Sequence, residues 1–206
     1  MAAQTEQEQY ICTKDKKNIF LIGDSIRIGY CEGVREKMAE QANVFYVPDN
    51  CRNTQYVIIQ LQAWLLQFEN PELVDAVQFN CGHWDAAHWC GAEEPLTSLE
   101  EYEKNLKMII WLLRKFFVNA KIFFATTTPM NPNGSDGGNP RTTQQIREYN
   151  RVAKTVCGEL DVPVNDLFAF TCDWDSTYFK DYCHFTEAAN GVLSSRVADW
   201  LAAQLP

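Results

Sequence analysis

Positive charge is in short supply in this chain of 206 residues: 18 Lys and Arg stand against 27 Asp and Glu, giving a formal charge of -9 and a pI near 4.8. Phosphate backbones are gripped by clustered Lys and Arg that displace counterions, so nucleic acid is not an expected partner. Long apolar runs are also missing. The stretch 120–125 is among the longest and is far too short to cross a bilayer, which argues against a membrane partner. The polar start MAAQTEQEQY has neither the basic n-region nor the apolar h-region of a signal peptide; the expected location is cytoplasmic, although a trimmed signal would leave the same picture. Histidine is scarce, with three in all, so the choice of a catalytic base is narrow. Cysteine is not scarce, but the eight are scattered without a CxxC pair, which removes the usual zinc and dithiol motifs. Free thiols are the default, and disulfides stay open for an exported protein.

What is present points to a packed globule. A hydrophobic share of 46% is too high for disorder, and no Pro/Gly/Ser-rich linker divides the chain. One domain over 1–206 is expected, with 1–16 as a loosely ordered extension. Short apolar segments without alternation, at 17–23, 43–47, 73–79 and 121–126, have the pattern of strands covered on both faces, and 162–165 supplies a fifth. Between and after them lie helical segments at 26–41, 54–68, 99–117, 142–160 and about 186–204. Strands alternating with helices imply parallel pairing through right-handed crossovers, so the expected fold is α/β: a three-layer α/β/α sandwich around about five parallel strands. Ligands bind such sheets outside the carboxyl ends of the strands.

The chemically suggestive residues fall at those ends. Ser25 follows the first strand in GDS, Asn50 to Thr54 the second, Asn80 to Asp85 the third, and the loop PMNPNGSDGGNP the fourth, as an irregular rim able to move over the site. A serine needs a base to become nucleophilic and a group to orient that base. In KDYCHF, Asp181 stands three residues before His184, a spacing that lets a carboxylate curl back onto Nδ1 while Nε2 faces a serine from another loop. The bland alternatives are a turn-capping Asp beside an exposed His, and Asp24 or Ser25 as an ordinary helix N-cap. The aromatics Trp84, Trp89, Trp174, Tyr178 and Phe179 suit either a sugar or acyl platform or plain core packing, and Arg27 and Arg52 either an anionic substrate group or a solvated helix turn. His83, His88 and Asp85 match no compact zinc motif, so no metal is expected.

GDS after the first strand together with DxxH before the last helix resembles the SGNH, or GDSL-type, hydrolases over nearly the whole length. The chain is similar to a branch with PxNxGxT, FNxGLHD and TTTP blocks, here PDNCRNT, FNCGHWD and TTTP, followed by RTTQQIREYN, VNDL and DYCHFT. The resemblance implies a flavodoxin-like SGNH hydrolase fold with Ser25 as nucleophile, His184 as base and Asp181 as its orienter. It further implies an oxyanion hole from the Ser25 and Arg52 backbone N–H groups and the Asn80 side chain, with Asp24, Gly82, His83 and Trp84 contacting substrate. Asp24 would also brace the turn.

Two departures stand out. Arg52 occupies the glycine position of the second block, and GHWD replaces GxND, which puts Trp84 where many relatives carry Asn. Loss of a strong oxyanion donor typically costs about two to three orders of magnitude in turnover. Asn80 is favoured as the replacement amide and the Trp84 indole is the alternative, while Asn80 as a loop tie carries nearly equal weight. The resemblance implies a cofactor-free serine esterase acting on a small-molecule or carbohydrate ester, most often an O-acetyl group. A non-catalytic glycan- or protein-binding module on the same fold, or an O-acyltransferase with the same triad, are the alternatives.

Overall fold

The protein is described here by a computed structural model covering residues 9–205. Five parallel strands, β1 (Lys17–Ile22), β2 (Ala42–Tyr46), β3 (Ala76–Phe79), β4 (Lys121–Ala125) and β5 (Val164–Asn165), form one sheet in the order β2-β1-β3-β4-β5. Six α-helices are found among the described residues: α1 (Ser25–Met38), α2 (Thr54–Leu65), α3 (Leu99–Phe116), α4 (Thr143–Glu159), α5 (Leu167–Thr171) and α6 (Glu187–Gln204).

Residues 19–22 of β1 and all of β3 are buried, as expected of strands covered on both faces. Two apolar clusters make those faces. One joins α2, α3 and α4 to side chains such as Phe20, Phe79 and Phe124; the other joins α1 and α6 to Ile19, Leu21 and Phe123. Helix α3 shows how sequence becomes position. Tyr102, Leu106, Ile109, Ile110 and Leu113 recur at helical spacing and are buried, while a capping box of Ser98 and Glu101 satisfies the orphan N–H groups at its start. Helix α4 starts the same way, with Thr142 and Gln145.

The strand order reverses direction at β1, so connections leave β1 and β3 on opposite sides and open a crevice at their carboxyl ends. The register aligns those ends, with Ile22 beside Phe79 and Phe79 beside Phe124. Loops that follow β1, β3 and β4 are thereby brought to one edge.

Several expected boundaries move. Pro71–Leu73 forms a 3-10 turn, which delays β3 to Ala76, and β5 shrinks to two residues. Helix α5, capped by Asp166, occupies a stretch with no assigned element, because five residues are too few to show a helical period. The expectation of a loose segment through residue 16 is corrected for the part described. Tyr10 is buried, its N–H donates to Gln67 O at 2.7 Å, its carbonyl accepts from Glu69 N–H, and its ring packs against Phe20, Phe45 and Phe68. Residues 1–8 lie outside the described residues. No helix described is long and apolar enough to cross a membrane.

Phe124 is fully buried, with its ring edge-on to Phe79 at 5.1 Å between centroids. Phe124→Ala is expected to lower unfolding free energy by about 3–5 kcal/mol, read from urea melts. A loss under about 1 kcal/mol would mean that this face of the sheet is loosely packed.

Candidate active site

The corner after β1 is built by three neighbours. Asp24 adopts an extended conformation and its side chain accepts the Ile26 N–H at 3.0 Å, which caps α1 and leaves Ser25 as the first helical residue. The first N–H groups of a helix lack intrahelical acceptors and sit at its positive end, so the Ser25 backbone meets any negative charge forming beside its hydroxyl. Gly23 is needed for space, since a Cβ there would lie 2.8 Å from the Cβ of Arg27.

Across the crevice, the turn before α6 carries the other two groups. The Asp181 carboxylate accepts the backbone N–H groups of Cys183 and His184 at 3.0 and 2.8 Å, and His184 Nδ1 lies 2.8 Å from Asp181 Oδ2. His184 Nε2 is 2.7 Å from Ser25 Oγ. With the Nδ1 proton directed at a carboxylate, Nε2 is the acceptor and the Ser25 hydroxyl donates to it. Burial pushes the Asp181 carboxyl upward, but the two backbone donors and the imidazole outweigh it and hold its pKa below the ordinary value. It therefore stays ionised while facing the ring. Asp181, Cys183 and His184 also bring potential metal ligands within 4.8 Å of one another, but two of these three are already engaged in the proton-transfer line.

A cavity of about 250 Å³ opens over Ser25 and His184, with Asn50, Trp84, Trp89, Arg141 and Tyr182 in its walls. Trp84 and Trp89 stack at 5.0 Å between centroids. Arg141 is nearly buried, pairs with Asp136 at 3.1 Å and donates from Nε to His83 Nδ1 at 3.3 Å. That bond places the His83 proton on Nε2, 3.3 Å from Thr128 Oγ1. Burial, reinforced by the Arg141 cation, lowers the His83 pKa well below the ordinary value, so this ring is neutral at pH 7. His83 borders the cavity while acting as a brace for Arg141.

Not every expected residue reaches the cavity. Arg52 takes the left-handed conformation that its glycine-like position demands, at φ 53°, but its N–H donates to Asn50 Oδ1 at 2.8 Å. The Asn80 amide donates to Ala125 O at 2.9 Å and faces Thr127 Oγ1 at 3.4 Å, tying β3 to the end of β4. Two of the three groups expected as oxyanion donors are therefore engaged, and neither Arg52 nor Asn80 lines the cavity. Gly82, at φ 150°, is kept small by Thr127, whose Oγ1 would lie 2.2 Å from an added Cβ. Asp24 is wholly buried under the corner, and Arg27 is 1% exposed, which ends the reading of either as a direct substrate contact. Trp84 is where a substrate contact was expected. Asn50 and Asp136 lie in loops expected around the site but, like Arg141, carried no role of their own in the sequence reading; all three line the cavity.

The rim after β4 has no regular element, as expected, but it is tied down. Asn131 donates from its backbone to Tyr182 O at 2.9 Å and from its side chain to Asp181 O at 2.8 Å, and Asn139 Oδ1 accepts the Cys90 N–H.

A parallel α/β sheet with a serine, histidine and carboxylate lined up at its carboxyl edge defines a hydrolase-like class. The chain belongs to the GDSL-like lipase/acylhydrolase family, which it matches over residues 21–192. Among solved structures it is similar to the acetyl xylan esterase AlAXEase (17% identity, TM-score 0.70, 90% of this chain and 98% of that one). It is also similar to the lipase/acylhydrolase of Enterococcus faecalis (20%, 0.71, 92% and 97%). A curated relative is the GDSL esterase/lipase WDL1 of Oryza sativa subsp. japonica, 26% identical over 137 residues; the match covers 62% of this chain and about half the length of that relative.

The loop after β3 is held by Asp85, whose Oδ1 accepts the Thr54 N–H at 3.0 Å and the Thr54 hydroxyl at 2.6 Å. Burial raises its pKa to about 6 from an ordinary 3.8, against the pull of those two donors. The folded state therefore binds this proton more tightly than the unfolded chain does. The contribution to stability is full below about pH 4, declines as pH rises, and is gone above about pH 6. Asp85→Asn keeps the acceptor and removes the titration, so the melting temperature of the variant relative to the parent should rise between pH 4.5 and 7. A gap that is flat with pH would show that Asp85 ionises normally.

Proposed function

We propose that the protein is a serine esterase that cleaves small esters, in particular O-acetyl groups on carbohydrate, through an acyl-enzyme on Ser25. The observation that carries this reading is the 2.7 Å contact of Ser25 Oγ with His184 Nε2, backed by Asp181. Ser25 attacks the ester carbonyl while its proton passes to His184, and Asp181 stabilises the resulting imidazolium. His184 then gives that proton to the leaving alkoxide. Water, deprotonated by the same nitrogen, attacks the acyl-enzyme and releases the acid.

The oxyanion is assigned to the Ser25 backbone N–H at the start of α1 and to the Asn50 side-chain amide. Asn50 borders the cavity, and its oxygen is held by Arg52 N–H, which leaves the NH2 end for substrate. The strained φ of Arg52 thus serves to orient Asn50 rather than to donate directly. A cavity of about 250 Å³ suits a short acyl group with part of one ring and leaves little room for a fatty chain. Stacked indoles offer an apolar face to a sugar ring, and the similarity to an acetyl xylan esterase fold supports the same choice.

Ser25→Ala should reduce turnover of p-nitrophenyl acetate by at least about 10³-fold, and Asp181→Asn should lower kcat strongly with little change in KM. A fluorophosphonate should modify Ser25, with acetyl esters cleaved far faster than octanoyl esters. Full activity in Ser25→Ala, or labelling at another residue, overturns the mechanism. Absence of turnover on aryl and sugar esters would favour the binding-module alternative, and acyl transfer to added sugar would identify a transferase.

Loss of the Asn50 amide is read separately. Asn50→Ala should lower kcat about 10²-fold, and Asn80→Ala should mainly lower the melting temperature. The reverse pattern would restore Asn80 as the oxyanion donor.

A further inference from the structure

Arg27 is a fully buried cation with no carboxylate within ion-pair distance among the described residues. Its guanidinium is spent mainly on backbone carbonyls, with the Cys31 and Cys51 sulfurs as weak acceptors at 3.8 and 3.7 Å. Nη1 donates to Val47 O at 2.6 Å, and Nη2 to Gly23 O at 3.0 Å and Asp49 O at 2.7 Å, while Nε has no partner. Removing a charge from water is costly, and three carbonyls, two weak sulfur acceptors and one unsatisfied N–H are a poor replacement for a salt bridge or an apolar core. A side chain this unfavourable for stability points to work done elsewhere.

The three carbonyls lie on two different connections. Gly23 O precedes the Asp24–Ser25 corner, whereas Val47 and Asp49 open the loop that carries Asn50. Gly23 O also accepts the Cys51 N–H at 3.1 Å, so the two connections share an acceptor. The far end of the second loop is held independently, through Thr54 and Asp85. The near end is set against the Ser25 corner by the Arg27 clamp together with the Cys51 N–H bond to Gly23 O.

We propose that Arg27 is a positioning residue that fixes the separation of the Ser25 corner from the Asn50 loop, and with it the geometry of the oxyanion pocket. The assignment rests on the esterase reading above. Because the side chain never touches substrate, its loss acts on the transition state and not on ground-state binding.

Arg27→Gln and, as a milder displacement of the same clamp, Gly23→Ala test this. In variants that fold by circular dichroism, kcat should fall 10- to 100-fold with KM within about threefold. Hydrogen exchange of the Cys51 N–H should quicken at least tenfold, a readout that needs no turnover and so separates this proposal from the esterase reading, which is tested on the unaltered chain. A lower melting temperature with kcat within twofold, a loss carried by KM, or unchanged exchange over residues 48–53 would overturn it. Should Arg27→Gln not fold, Gly23→Ala decides by the same criteria.

Discussion

One hydrogen bond, from the Ser25 hydroxyl to the His184 ring, joins positions 159 residues apart, and the rest of the chain can be seen as the means of holding its two ends. Neither end is adjustable. Ser25 is fixed by being the first residue of a capped helix that leaves the central strand, and His184 by a turn folded around the Asp181 carboxylate just before the last helix. Helices α1 and α6 lie against each other on one face of the sheet, with the Ser194 hydroxyl donating to Tyr30 O at 3.0 Å. Both halves of the proton-transfer line are thus mounted on the same pair of packed helices. This is more rigid than two loops meeting in solvent, and it is what a hydrogen bond with a narrow working distance requires.

The electrostatics of the site are arranged in layers. A charged pair, Arg141 and Asp136, lines the wall of the cavity, and a neutral His83 holds that arginine from behind. Beneath the nucleophile lie Asp24, whose carboxyl is raised by burial, and the Arg27 cation. Burial disfavours the ionised form of Asp24, so the Arg27 cation is the fixed charge at this depth. The field at Ser25 is therefore set by buried groups that solvent screens weakly.

Much of this was legible in the sequence, because strands covered on both faces and strongly periodic helices advertise themselves. That alternation put Ser25 after the first strand and Asp181 and His184 between the fifth strand and the last helix, while their pairing drew its weight from the family resemblance. The parts that were misread have a common physical origin. Asn80 and Arg52 have suitable atoms in suitable blocks, but whether an N–H is free depends on neighbours far along the chain: Ala125 for one, the orientation of Asn50 for the other. Arg27 was open as an anion reader or a solvated cation on a helix turn, because nothing local signals that three carbonyls will converge on it. Arg141 stands between an irregular loop and the cap of α4, and nothing local signals that it turns back to the cavity. Helix α5 was too short to leave a period.

The two bonds from Asn131 to the carbonyls of Asp181 and Tyr182 make the segment after β4 and the turn bearing the acid a single mechanical unit. Swinging that segment outward would strain or break both bonds and drag the carboxylate from beneath the imidazole. A gaping rim and an aligned imidazole are then mutually exclusive: the two bonds that pin the segment also keep the carboxylate beneath the ring.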